Sequence, residues 1–369
     1  MSKKKNTNKK SGIAKKIIFG IMLMLSITVG FFVAKAKLTI TQSLNHVTRD
    51  YDSKLSKVDL KGIKVKSDKN IVNILLIGND ARVEKGYENE RGLMDVVMIA
   101  TMDKKHGTLK LSSIMRDTIV YVPDAGKNMK INAATNYEGG VQSLYKTIAQ
   151  NFNVKLDGYV QVSFDSFRKV VNALGGVEVE LTDSEMRYLS QTNYIKKKHN
   201  RQGLIVGKQI LNGDQALGYC RIRKGMDIIG EPVVTVSGLT DDFGRTWRQR
   251  AVLSSAFAKL KTMPMSKWYE IANAVLEDIV TDLENDDIIR YMKDVALMGT
   301  TDIHQLQIPR NPYYRDSYKD EFSDGSCLVP TDGVSSDVNP EMNSKVLNQF
   351  IFEYDGETEF EFVESVETE

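Results

Sequence analysis

Ile71-Val-Asn-Ile-Leu-Leu-Ile77 runs straight into Gly78-Asn-Asp80-Ala-Arg82. The run is too short and too rich in Val, Ile and Leu for an amphipathic helix. It reads as a buried strand closed by a turn. Working outward, Val96–Thr101, Thr108–Ile114, Tyr159–Val162 and Val177–Leu181 carry the same signature. Helix-period stretches interleave with them: Gly140–Gln150, Phe164–Leu174, Asp214–Leu217 and Arg245–Lys261, with two more near Trp268–Ile279 and Asp286–Met298. Apolar strands alternating with helices predict a layered α/β fold with a central mixed β-sheet flanked by helices.

The strand ends are where the charge collects. Asp80 follows the first strand, Asp95 opens the second in Met94-Asp95-Val96, and Arg116-Asp117 follows the third. Open α/β sheets place their sites at such ends. Two carboxylates on neighbouring strands suit one Mg²⁺ (or Mn²⁺), with water and phosphate oxygens completing its shell. For each charge taken singly, a turn, cap or surface ion pair is the plainer alternative.

Five arginines fall between 221 and 250, although Arg supplies only 15 of the 50 basic residues. They are Arg221-Ile-Arg223 and Asp242-Phe-Gly-Arg245-Thr-Trp-Arg248-Gln-Arg250. The guanidinium fork grips phosphate oxygens in pairs, which Lys does not. Arg245 and Arg248, three residues apart at the start of a helix, share a face where free N–H groups also favour anions. The reading is a phosphate or pyrophosphate site. Its alternative is a solvated basic face paired with Asp241, Asp242 and Glu231.

Residues 1–16 hold seven Lys and no acid, and 17–34 hold no charge. Eighteen such residues suffice for a tilted transmembrane helix; the alternative is a cleaved signal, for which Val33-Ala-Lys-Ala36 offers small residues but Lys35 fits badly. The Lys-rich side stays cytoplasmic and the remainder faces outward. Without those seven lysines the formal charge of +2 becomes −5 (2 − 7) for the exported part. A polar stalk is expected over 35–69, the domain over 70–300, its completion over 301–352, and a disordered tail over 353–369, where eight acids meet no Lys or Arg. Segment 224–241 reads as an insertion loop. Cys220 and Cys327 make no disulfide framework, and Cys220 is expected as a buried thiol. The four His show no zinc spacing.

Taken in order, these segments resemble the LytR-CpsA-Psr family of membrane-anchored cell-wall enzymes. The likeness rests on Leu75-Leu-Ile-Gly-Asn-Asp80-Ala-Arg82, Met94-Asp95, Ser113-Ile-Met-Arg116-Asp117-Thr, Lys130-Ile-Asn132, Gly139-Gly140, Asn172-Ala-Leu-Gly-Gly176, Leu211-Asn-Gly-Asp-Gln-Ala216, Arg221-Ile-Arg223 and Asp242 to Arg250. It covers about residues 70–262. The resemblance implies a phosphotransferase that moves a teichoic acid, capsule or similar glycopolymer from a polyprenyl-pyrophosphate carrier to peptidoglycan. It implies Asp80 and Asp95 as metal ligands, and Arg82, Arg116, Arg221, Arg223, Arg245, Arg248 and Gln249 as the pyrophosphate-binding set. Arg116 is implied as catalytic, with Asp117 orienting the site or assisting proton transfer. Met94 and Val96 stand where the family usually has Ser or Thr beside the aspartate, and Met115 stands for a usual proline. Trp247 stands where a charged residue is common.

Two other activities fit the same residues: a pyrophosphate hydrolase acting on lipid-linked saccharides, and a non-catalytic binder of polyprenyl phosphate or polymer. A transcription attenuator is disfavoured, because the 16-residue stub is too short to fold into a nucleic-acid-binding element. No nucleic-acid partner is expected. The site is expected on the outer face of a bacterial cell membrane, spanned once by residues 17–34.

Overall fold

A computed structural model describes residues 47–79, 94–223, 225–227, 229–264, 267–268, 271, 279–300, 302–323 and 325–362. The basic stub, the segment 17–34 expected to cross a membrane, Asp80, Arg82 and most of the segment expected as a helix near Trp268–Ile279 lie outside them. No helix among the described residues is long and apolar enough to cross a membrane.

The strands are β1 (Thr48–Arg49), β2 (Ile71–Asn79), β3 (Met94–Asp103), β4 (Thr108–Ile114), β5 (Ile119–Val122), β6 (Lys127–Lys130), β7 (Gly158–Ser163), β8 (Val177–Leu181), β9 (Gly207–Leu211), β10 (Ile279–Thr281), β11 (Ile303–Ile308), β12 (Tyr314–Asp316) and β13 (Leu328–Pro330). Seven of them make one mixed sheet in the order β1-β10-β7-β2-β3-β4-β11. β2 pairs antiparallel to β3 and parallel to β7, β3 pairs antiparallel to β4, and β11 lies parallel to β4. The helices are α1 (Val141–Phe152), α2 (Phe164–Ala173), α3 (Asp183–Gln191), α4 (Gly213–Arg221), α5 (Asp241–Thr262), α6 (Asn285–Met298) and α7 (Glu341–Phe352).

The period-2 alternation of a strand gives the sheet two different faces. Leu75 and Ile77 of β2 and Val97 and Ile99 of β3 point into the main core. There they meet Leu144, Ile148 and Phe152 of α1 and Val346, Leu347 and Phe350 of α7. The opposite face, carrying Leu76 and Met98, is not sealed in this way and borders a cavity. A second core closes over it from the other side. It joins Val171 of α2, Leu189 of α3, Tyr219 of α4 and Val252 of α5 to Val177, Val179 and Leu211 of the β8–β9 pair.

Two stretches expected to stand apart belong to the domain. The stalk is folded from Val47 onward: β1 extends the sheet, and Leu55 is buried in the main core with Val58, Leu60, Ile63 and Val65 packed against it. Alternating apolar residues hidden among lysines outweigh the polar composition. The first ten residues of the acidic tail also pack. Tyr354 stacks on Phe350 at 5.5 Å, Phe360 meets Phe350 edge-on at 4.9 Å, and Phe362 reaches Tyr313 at 5.9 Å. Three aromatics bury enough surface to order a segment that its charge alone would leave loose. Residues 363–369 lie outside the described set.

Candidate active site

One edge of the sheet collects the candidate residues. β2 and β4 end there, antiparallel β3 begins there, and parallel β7 ends there. Asp95 therefore opens β3 beside the point where β4 delivers Arg116. Gly78 keeps this edge narrow, since a Cβ on it would lie 3.0 Å from two Val96 side-chain carbons. A cavity of about 740 Å³ opens against the edge. Its walls are Leu76, Met98 and Val162 from the sheet, Phe164 and Phe167 from α2, Leu217 from α4 and Leu253 from α5. Asp95, Arg116, Arg221, Arg223, Arg245 and Gln249 also line it. An apolar chamber with one cluster of guanidiniums suits a ligand that is part anion and part hydrocarbon.

The guanidiniums are held by carboxylates. Asp95 Oδ1 accepts a hydrogen bond from Arg116 Nη1, and Arg245 Nη1 lies 3.8 Å from the same oxygen. Asp242 Oδ2 accepts from Arg245 Nη2 at 2.8 Å. Its Oδ1 is 2.9 Å from Arg223 Nε, off the hydrogen-bonding direction, so that contact is an ion pair only. Asp117 Oδ2 accepts from Arg223 Nη2 at 2.8 Å, with Lys130 Nζ at 3.2 Å from Oδ1 and Arg116 Nε at 3.7 Å from Oδ2. Arg221 stacks 5.3 Å from the Phe164 ring centroid. Five cations (Arg116, Arg221, Arg223, Arg245, Lys130) thus face three carboxylates (Asp95, Asp117, Asp242) among the described residues. Burial pushes the Arg245 guanidinium down from its ordinary value; Asp242 resists, and the neighbouring Arg116 pushes further down. Arg116 Nε and Arg245 Nε are shielded from solvent and meet no acceptor among the described residues. Excess positive charge with unmet donors calls for an anion with several oxygens.

The structure separates the expected set. Arg116, Arg221, Arg223, Arg245 and Gln249 come together, and Gln249 Nε2 also donates to the Cys220 carbonyl at 3.4 Å. Arg82 and Asp80 lie outside the described residues. Arg248 does not reach the cavity, contrary to its expected place in the pyrophosphate set. It is fully buried, donating from Nε to Glu185 Oε1 at 2.7 Å and from Nη1 to the Ile222 carbonyl at 3.3 Å. The i, i+3 spacing with Arg245 is real, but the first turns of α5 are buried on several sides, with Gly244, Thr246 and Arg250 also inside, so Arg248 points to Glu185 of α3 instead. Gly244 permits this packing, since a Cβ there would lie 2.8 Å from the Leu239 carbonyl and 3.1 Å from Arg248 Nη1. Asp117 sits behind Arg116 rather than on the cavity wall. With three cations around it, it holds guanidiniums in place.

Two participants have no role in the expected set. Asp242, expected only as a counter-ion, braces both Arg223 and Arg245. Glu185 is absent from that set. Its signal was Thr182-Asp-Ser-Glu185, a capping box: Glu185 N donates to Thr182 Oγ1 at 3.2 Å, and Glu185 Oε2 accepts from Thr182 N at 2.9 Å. Cys220 borders the cavity as a buried thiol, pushed up to about 12 by burial, and forms no disulfide with Cys327.

Asp95 is the carboxylate that lines the cavity among the described residues. Its Oδ1 is engaged by arginine, while Oδ2 meets no hydrogen bond or ion pair among the described residues. An all-oxygen donor of this kind fits a hard divalent cation, provided a second ligand comes from beyond the described residues.

The sequence profile of the LytR_cpsA_psr family matches residues 31–329. The chain is 30% identical over 287 residues to the polyisoprenyl-teichoic acid–peptidoglycan teichoic acid transferase TagU of Enterococcus faecalis (strain ATCC 700802 / V583), covering 76% of this chain and 81% of that one. It is 29% identical over 313 residues to the corresponding transferase TagV of Bacillus subtilis (strain 168), covering 81% and 75%. The crystal structure of B. subtilis TagV superposes with a TM-score of 0.57 at 26% identity, over 77% of this chain and 98% of that one. TagT with bound octaprenyl pyrophosphate lipid shares the fold, with a TM-score of 0.53 at 22% identity over 78% and 93%. The chain belongs to the LytR_cpsA_psr family.

Proposed function

We propose that this chain transfers a glycopolymer of the teichoic acid or capsule class from a polyprenyl-pyrophosphate carrier to a peptidoglycan sugar hydroxyl. The observation that carries the reading is the cavity that joins a pole of Arg116, Arg221, Arg223 and Arg245 to walls of Leu, Met, Val and Phe. The relatives named as teichoic acid transferases, and the octaprenyl pyrophosphate held by TagT, support the same donor class.

The chemistry follows from the charges. The acceptor oxygen attacks the glycan-side phosphorus and passes its proton to the departing phosphate. The bridging P–O bond breaks, and polyprenyl monophosphate leaves with the electron pair. Negative charge grows on the non-bridging and leaving oxygens, so fixed cations lower the barrier. Arg116, steadied by Asp95 and Asp117, is placed to grip the reacting phosphoryl group. Arg221, Arg223 and Arg245 neutralise the rest of the pyrophosphate. The apolar walls hold the first isoprene units and keep competing water out. Asp95 with Asp80 would hold a Mg²⁺ or Mn²⁺, which would add neutralising charge at the same oxygens. Residues 17–34 would anchor the chain in the cell membrane, with the stub inside and the domain outside.

The test is product analysis. The full chain in detergent is given a polyprenyl-pyrophosphate-linked saccharide, Mg²⁺ and peptidoglycan oligomers, and the products are weighed by mass spectrometry. A glycan joined to the oligomer by a phosphodiester is expected. Saccharide phosphate released equally with and without acceptor would instead establish a hydrolase.

A further inference from the structure

Residues 196–208, Lys-Lys-Lys-His-Asn-Arg-Gln-Gly-Leu-Ile-Val-Gly-Lys, hold five cations and no acid in a chain whose exported part is net negative. Lys196, Lys197 and Lys198 are exposed, as is Lys208. Lys197 lies 3.3 Å from Asp214, while Lys196, Lys198, Arg201 and Lys208 enter no ion pair among the described residues. In the same segment two adjacent branched aliphatics face solvent, Ile205 at 56% and Val206 at 52% exposure. They are displayed on a firm support. Leu204 is buried in the second core, and Ile205 exchanges hydrogen bonds with the Gln209 side chain. Four chain steps separate Arg201 from Ile205, so they lie within about 14 Å. Lys208 is within about 7 Å of Val206 by the same measure. Two members of the segment, Lys196 and Arg201, also line the cavity.

Firmly supported aliphatics beside unpaired cations, at the rim of an apolar chamber, match the chemistry of a bilayer surface. We propose that Lys196–Lys208 docks on the anionic outer face of the lipid bilayer. Ile205 and Val206 enter the headgroup boundary while Lys196, Lys198, Arg201 and Lys208 meet acidic phospholipid headgroups, bringing the cavity rim to the membrane. A second copy of the chain is a poor occupant, because it would present the same cations. An acidic polymer would satisfy the lysines but leaves the aliphatic pair unexplained. Glu178 and Glu180 of β8 stand opposite Ile210 and Lys208, which makes Lys208 the limit of the docking face. The docking rests on the proposed lipid-borne donor only for its purpose, not for its chemistry.

The test uses the full chain in lipid nanodiscs, with Val206→Cys carrying a fluorophore and a quencher borne by the lipid acyl chains. The buried Cys220 and Cys327 make the parent chain the labelling control. Strong quenching is expected in discs rich in phosphatidylglycerol and weak quenching in pure phosphatidylcholine. Lys198→Gln and Lys208→Gln should each lower the docked population about fivefold. Ile205→Ser with Val206→Ser should raise KM for a disc-embedded donor about tenfold and leave kcat unchanged. An unquenched probe in both discs would overturn the proposal. Shielding of the probe by soluble poly(glycerol phosphate) but not by lipid would overturn it in favour of polymer binding. A quenched probe on a chain without transfer activity would refute the reaction and uphold the docking.

Discussion

Arg116 and Arg248 show how differently two arginines of one sequence can be used. Arg116 stands on the cavity wall, tied to Asp95 and near Asp117, with its Nε unmet by any described acceptor. Replacing it by Ala should lower kcat by about 10²–10³, the usual effect of losing one charge-stabilising donor. The thermal midpoint should stay within a few degrees, so single-turnover kinetics beside calorimetry would separate chemistry from folding. An unchanged kcat would remove Arg116 from the mechanism. Arg248 should behave in the opposite way. Its removal leaves Glu185 buried without its partner, which costs about 3–5 kcal/mol. Arg248→Met should therefore shift the urea midpoint strongly. Adding Glu185→Gln, which keeps the Thr182 cap, should restore part of the loss. Strict additivity of the two would deny the coupling.

At the scale of elements, the strands were legible because Val, Ile and Leu repeat over short runs. All five runs read from the sequence are strands in the structure. The helix after Asp214 was legible only in part: α4 extends from Gly213 to Arg221, because Tyr219 and Cys220 pack into the second core and carry it past the short periodic signal. The charges at the strand ends were legible too, since Asp95 and Arg116 need only the turn positions to be placed. The burial of Arg248 was not, because it depends on how α5 meets α3, a tertiary fact no local pattern records. The far ends of β3 and β4 offer a pH test. Asp103 is buried and accepts from Lys110 Nζ at 2.7 Å and contacts His106 Nδ1 at 2.6 Å. Burial alone would raise its carboxyl, but the bonds from Lys110 and His106 outweigh it and hold the group below the usual carboxylate range. A depressed carboxyl contributes stability above its unfolded value, about pH 4, and loses it as pH falls through the folded value. Urea midpoints should therefore drop on acidification below about pH 4. Asp103→Asn should be less stable at neutral pH and should flatten that acid limb; an unchanged acid slope would show that Asp103 does not set it.

For the molecule as a whole, the sheet is sealed on one face and hollow on the other. The sealed face depends on the chain's last described segment, since α7 and the aromatics beyond it close over the main core. Composition concealed this, because eight acids mask three aromatic side chains in the tail. Ending the chain after Phe352 removes Tyr354, Phe360 and Phe362. At about 0.5–1.5 kcal/mol per aromatic pair beyond burial, the loss should lower the thermal midpoint by about 5–10 °C. Calorimetry of the shortened chain would decide this, and an unchanged midpoint would return the tail to the surface.

The Glu185–Arg248 pair has a consequence for descent. One carboxylate caps α3 and neutralises α5 at once, so a single replacement at either position leaves a buried charge stranded. An apolar pair in the same space would be tolerated, but only if both positions changed together. The route between the two states passes through a poorly folded intermediate. Lineages of this domain should therefore keep the pair or lose it as a unit, and the two positions should mutate in step.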